Sequence, residues 1–202
     1  MLGGWEHHGR RRRRLPRFVV FAGLVLALTA TTAFAAAVRP AVIDDASGDV
    51  AGALDLQRVS LHRSRDGRLR AILTFVGTVS PRSLLAASGP PGSACLRVWT
   101  DPDADPRSMR PDRLVCVTAR SQDELRGGVF EQRDGRLPRR VATSAARTNR
   151  SGRSFVVRIT QSSLGRPASI RFAAETAPPG CERIACIDTA PEAGRVRSFR
   201  LR

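Results

Sequence analysis

From Val42 onward the chain is a succession of short apolar runs bounded by Gly, Asp, Pro or Ser, with no long amphipathic helix among them. Runs of that length satisfy their backbone groups by pairing side by side, so the pattern dictates sheet. Leu69, Ala71, Leu73 and Phe75 stand at alternate positions, the period of a strand with one buried face. Asp66-Gly67 just before them is a strong hairpin turn, and Asp134-Gly135 is a second. The runs predict about nine strands, at residues 54–61, 69–76, 95–100, 114–119, 129–132, 136–142, 154–159, 168–174 and 196–201. In the last of these, the apolar Val196 lies at opposite parity to Phe199 and Leu201, as a bulge would place it. Residues 80–87 read as one helical turn, and residues 162–167 as a turn or short helix. The predicted fold is all-β, an antiparallel β-sandwich, in one domain without internal repeats.

The N-terminus has a different character. Residues 1–17 carry five consecutive arginines and Arg17, and residues 18–38 carry no charge. A basic segment, an apolar segment and a small-residue site at Ala33-Phe34-Ala35, with cleavage between Ala35 and Ala36, make an export signal. The same uncharged residues are long enough to span about 30 Å of hydrocarbon as an uncleaved anchor. Both readings place residues 39–202 outside the cytoplasm, the first as a secreted domain and the second as a membrane-anchored one.

The formal charge is +16, and all the basic residues are arginine. Loss of residues 1–35 would leave +11, a field that favours anionic partners. The arginines are scattered and do not alternate with aromatic residues, which argues against a nucleic-acid module. In an oxidising compartment the four cysteines are expected to pair. Cys95 and Cys116 begin and end a turn-rich stretch between two strand runs, and Cys181 and Cys186 bracket a short loop. The expected bridges are therefore 95–116 and 181–186.

Two acidic groups carry the strongest chemical signal. Asp44, Asp45 and Asp49 form one, and Asp101, Asp103 and Asp105 form the other with alternate spacing. Calcium takes six to eight oxygens, and closely spaced carboxylates supply them. Arg107, Met109 and Arg110 occupy the places that would complete an EF-hand, so that motif is excluded. The competing reading makes these aspartates turn formers. For catalysis there is no G-x-S-x-G elbow, no H-E-x-x-H and no P-loop, and the expectation is a non-enzyme.

Several segments occur in a familiar order. Residues 44–49 (DDASGD) precede Leu54-Asp55-Leu56, Val98-Trp99-Thr100-Asp101-Pro102-Asp103 ends a strand in an acidic loop, and residues 114–117 take the next strand. Residues 159–165 (ITQSSLG) lead into the strand holding Phe172, and residues 187–194 (IDTAPEAG) precede the last strand. This order resembles the extracytoplasmic β-sandwich domains of the DOMON-like and carbohydrate-binding-module-like group, especially secreted bacterial ones. The resemblance covers residues 42–202 and implies sugar, haem or calcium as ligand. Trp99 is the one tryptophan outside the N-terminal segment, and so the one indole that could meet a sugar. His62 and Met109 do not suggest a haem-ligating pair. The expected function is an exported, monomeric, non-catalytic binding or structural module at a bacterial surface, whose ligand is an envelope polymer or a glycan. The alternatives are a membrane-anchored subunit holding a protein partner, with residues 18–38 in the membrane, and a secreted hydrolase.

Overall fold

A computed structural model describes residues 39–201, except residues 65, 108–109, 183–185 and 193–194. The signal or anchor segment and the cleavage positions Ala35 and Ala36 lie outside the described residues. Among the described residues no helix is long and apolar enough to cross a membrane.

The domain is all-β, as the alternating runs require. Its strands are β1 (Ala41–Asp44), β2 (Leu56–Arg63), β3 (Leu69–Phe75), β4 (Ser93–Trp99), β5 (Arg113–Ala119) and β6 (Leu125–Arg133). They continue with β7 (Arg136–Thr148), β8 (Ser154–Ile159), β9 (Ser169–Ala177), β10 (Asp188–Ala190) and β11 (Arg197–Arg200). Single 3-10 turns at Pro81–Leu84 and Gln161–Leu164 fill the two places read as short helices. Both Asp-Gly turns close hairpins, β2–β3 and β6–β7.

All pairings are antiparallel. The strand order is β1-β2-β3-β8-β7-β6-β5-β4-β9-β10, with β11 also on β9. β7 belongs to two ladders: Arg136–Ser144 pairs with β6, and Ala145–Thr148 pairs with β8. Its register with β6 shifts twice, between Val129 and Phe130 and between Glu131 and Arg133. Such bulges bend a strand and let it serve two sheets. Pro138 falls inside the second shift, where the ladder does not require its missing N–H.

At the far ends of this path β1 lies against β11 and β2 against β10, without a ladder between them. The sheet thus folds back on itself into a sandwich-like body. One apolar cluster fills the interior, with Leu56, Leu61, Leu73, Phe75 and Phe155 from one ladder and Leu96, Val115, Val129 and Phe172 from the other. Phe75 and Phe155 meet edge to face, ring centroids 5.1 Å apart. Phe199 points into this core, Leu201 returns to it after β11 ends, and Val196 lies before β11 on the Trp99 side.

Both disulfides form as the spacing predicts. Cys95 and Cys116 are directly opposed on β4 and β5, and Cys181–Cys186 ties residues within the β9–β10 connection. The described residues form eleven strands rather than about nine, the additional two being β1 and β10. β6 also begins earlier than expected. It starts at Leu125 rather than at residue 129, and Gly127 and Gly128 lie inside the ladder.

Candidate functional site

Two places gather chemistry. The first forms where β1 ends and the chain turns before β2. Gly48 takes φ 90°, a conformation side chains disfavour, and its N–H donates to Asp55 Oδ2 at 2.8 Å. The Leu56 N–H donates to Asp188 Oδ2 at 2.6 Å, across 132 residues of sequence. Thr176 Oγ1 donates to the Leu54 carbonyl at 2.8 Å. The loop before β2 is therefore pinned onto β9 and β10. Asp45, Asp49 and Asp188 each bring an oxygen within 4.8 Å of the others. Asp55, 5% exposed, is near enough for its charge to act on Asp188, which is 1% exposed.

Carboxylates crowded out of water resist ionisation. Burial, then the charges of Asp188, Asp49 and Glu192, push the Asp45 carboxyl up to about 7. Burial, opposed by the Leu56 N–H and reinforced by Asp49 and Asp55, pushes Asp188 up to about 6.

The residues picked out from the sequence are distributed unevenly. Asp45 and Asp49 are in the cluster, whereas Asp44 points to Arg58 and accepts from its Nε. Asp101 Oδ1 accepts from the Asp103 N–H at 2.9 Å, and Asp105 Oδ1 from the Arg107 N–H at 3.0 Å. Those two aspartates cap their own turns, and the described residues place none of the three in a carboxylate cluster. The organiser of that loop is Asp112, whose Oδ2 accepts from the Thr100 N–H and hydroxyl at 2.7 and 2.9 Å. Asp55 and Asp188 were missed, because a single aspartate beside a strand run has no distinguishing local pattern.

Trp99 is 2% exposed. It lies on the face of β4 away from the main core, packed with Ala104, Ala173 and Val196, and the Arg97 guanidinium stands 5.2 Å from its ring centroid. An indole so covered cannot stack on a sugar. The Trp99 emission is expected at short wavelength, and addition of sugars should leave it unquenched. Quenching by a soluble oligosaccharide in a Trp5→Phe chain would return Trp99 to the binding surface.

The second place is a cleft along β6 and β7. A cavity of about 510 Å³ is lined by Arg120, Glu124, Arg126, Arg140 and Ser144 among others. Arg126 and Arg140 also line a second hollow of about 280 Å³, with Thr118 and Phe130. The two glycines shape these walls. A Cβ on Gly127 would lie 2.4 Å from the Ser144 carbonyl oxygen, and one on Gly128 would lie 2.8 Å from the Phe130 ring. Arg120 is tied to Glu124 at 3.1 Å. Among the described residues neither Arg126 nor Arg140 has a carboxylate partner. Arg140 Nη2 donates to the Gly127 carbonyl at 3.0 Å, and its buried Nε has no hydrogen-bond partner among the described residues.

The remaining titratable contacts are local. His62 Nε2 lies 3.0 Å from Ser60 Oγ on the same strand, and burial with Arg70 nearby pushes the imidazole down. Burial raises Glu175, and Arg97 at 3.6 Å opposes the shift. A hydrogen bond from Arg139 holds Glu131 below the usual carboxylate range. Comparison with protein-family models, with curated proteins and with solved structures gave no match.

Proposed function

We propose that the chain is an exported, monomeric, non-catalytic β-sandwich module at a bacterial surface, and that it binds an anionic envelope polymer. The observation that carries this reading is the pair Arg126 and Arg140, two guanidinium groups without carboxylate partners among the described residues, side by side along two hollows. Guanidinium presents a planar fork of donors that suits carboxylate and phosphate oxygens. An open cleft suits a chain better than a small molecule. The net charge of +11 on residues 36–202 would draw such a polymer in from a distance. Two disulfides suit an oxidising compartment, and residues 18–38 would deliver the domain there as signal or anchor. The non-catalytic reading is supported by His62, whose ring meets a serine hydroxyl and the nearby Arg70 charge, with no carboxylate to orient it among the described residues. The buried Trp99 argues for charge rather than ring stacking as the means of recognition.

The test is retention of the full chain, in mild detergent, on heparin as a model polyanion and on dextran as the uncharged control. Retention on heparin alone is expected, weakening as salt rises. Each of Arg126→Gln and Arg140→Gln should weaken it about tenfold, the effect of one charge-assisted hydrogen bond. Arg82→Gln, on an exposed turn, should leave it unchanged. Equal retention of all three variants would reject the cleft as the binding surface.

A further inference from the structure

We propose that Asp45, Asp49 and Asp188 hold a divalent cation, and that this cation is calcium. Three facts converge on the cluster. Its ligand atoms lie within 4.8 Å of one another, so one ion could touch all three carboxylates. Asp188 and Asp55 are almost wholly buried, yet among the described residues the Oδ1 of each lacks a hydrogen-bond partner, as does Asp45 Oδ2. Each Oδ2 of the buried pair is committed to a backbone N–H, which fixes the carboxyl plane and leaves the other oxygen free for a ligand. A buried carboxylate oxygen without a partner is costly, and a bound cation is the standard relief.

The third fact concerns arginine. The chain has 34 basic residues and a large excess of positive charge. Its described ion pairs neutralise Asp44, Asp66, Glu124, Glu131 and Glu175, and none reaches Asp45, Asp49, Asp55 or Asp188. Other described carboxylates, Asp101 and Asp112 among them, also lack a guanidinium, but they accept from nearby N–H or hydroxyl groups, whereas these four crowd together. Their mutual repulsion is what a double positive charge would remove.

The donor set selects the ion. The cluster contains only carboxylate oxygens, which suits a hard cation rather than zinc or copper. Two donors come from an irregular loop and one from a strand, a spread that suits the flexible six to eight oxygens of calcium better than the octahedron of magnesium. The ion would join the loop after β1 to β10, between strands that no ladder connects. It would act as a clasp across the open side of the sheet. This inference does not depend on the arginine cleft.

The experiment uses the full chain in mild detergent, freed of metal with EDTA and then dialysed. Calorimetric titration with calcium chloride is expected to show one equivalent bound, with a dissociation constant of about 10⁻⁴–10⁻³ M, as in extracellular modules. At a hundredfold excess over that constant the melting temperature should rise by about 5–10 °C. Asp49→Asn, at an exposed position that cannot endanger the core, should weaken binding about tenfold or more, and so should Asp188→Asn. Asp101→Asn should bind as the parent does. Absence of binding up to about 10 mM calcium would overturn the proposal, and so would unchanged affinity in Asp49→Asn. A stronger response to magnesium or zinc would overturn the choice of ion. Heparin retention by Asp49→Asn reads the arginine cleft separately, so failure of either idea is visible without the other.

Discussion

Phe155→Ala is expected to lower the stability of this domain by about 3–5 kcal/mol, the usual result of truncating a fully buried aromatic ring. Phe155 is 0% exposed and pairs with Leu73 on one side and Thr148 on the other, so it sits where β7, β8 and β3 meet. Its edge-to-face contact with Phe75 adds about 0.5–1.5 kcal/mol to the area it buries. Folded domains have only about 5–15 kcal/mol in hand, so this one ring is a large fraction of the total. A drop of about 10 °C in melting temperature should follow. Val42→Ala, half-exposed on β1, should shift the melt by no more than a degree or two. A Phe155→Ala shift as small as that of Val42→Ala would mean that the two ladders do not share a single packed interior.

Replacing Cys95 and Cys116 together by alanine should cost about 3 kcal/mol, and replacing Cys181 and Cys186 about 2 kcal/mol. The ordering follows from loop length, with sequence separations of 21 and 5. The longer bridge encloses the 100–112 loop, which carries Ala104 onto the Trp99 ring. Its removal should therefore also shift Trp99 emission to longer wavelength, whereas removal of the shorter bridge should not. Differential scanning calorimetry of the two double variants, with fluorescence on the same samples, checks both parts. A larger loss from the shorter bridge would show that the strands hold the 100–112 loop without help.

The two readings of acidic residues show where sequence runs out. The alternating aspartates at 101, 103 and 105 were the more regular signal, yet Asp101 and Asp105 spend their oxygens on backbone N–H groups two residues away. Regular local spacing is what a turn produces on its own. The cluster at Asp45 and Asp49 was half legible, because its remaining members arrive through β-pairing. Asp188 reaches the Leu56 amide across 132 residues, and no spacing rule spans that distance. β3 was legible from its period, whereas only parts of β6 and β7 were read as strand. β1 and β10, four and three residues long, are too short to display one. The cysteine pairs were legible because Cys95 and Cys116 sit in strand runs whose hairpin-like connection dictates the pairing. The arginine cleft was not, since Arg126 and Arg140 are ordinary members of an arginine-rich chain until β6 and β7 set them on one wall.

A strand that serves two ladders constrains how the domain can move. β7 is thirteen residues long, about 40 Å of continuous backbone, and both halves of the sheet hang from it like covers from the spine of a book. Sliding one cover past the other would bend covalent backbone, so shear is resisted. Gaping is resisted less, because among the described residues the fore-edge, where β1 faces β11 and β2 faces β10, is held by side chains and isolated hydrogen bonds rather than by a ladder. Slow breathing should therefore be recorded in amide exchange as protection that falls away from the spine, leaving the strands at the fore-edge the first to take up deuterium.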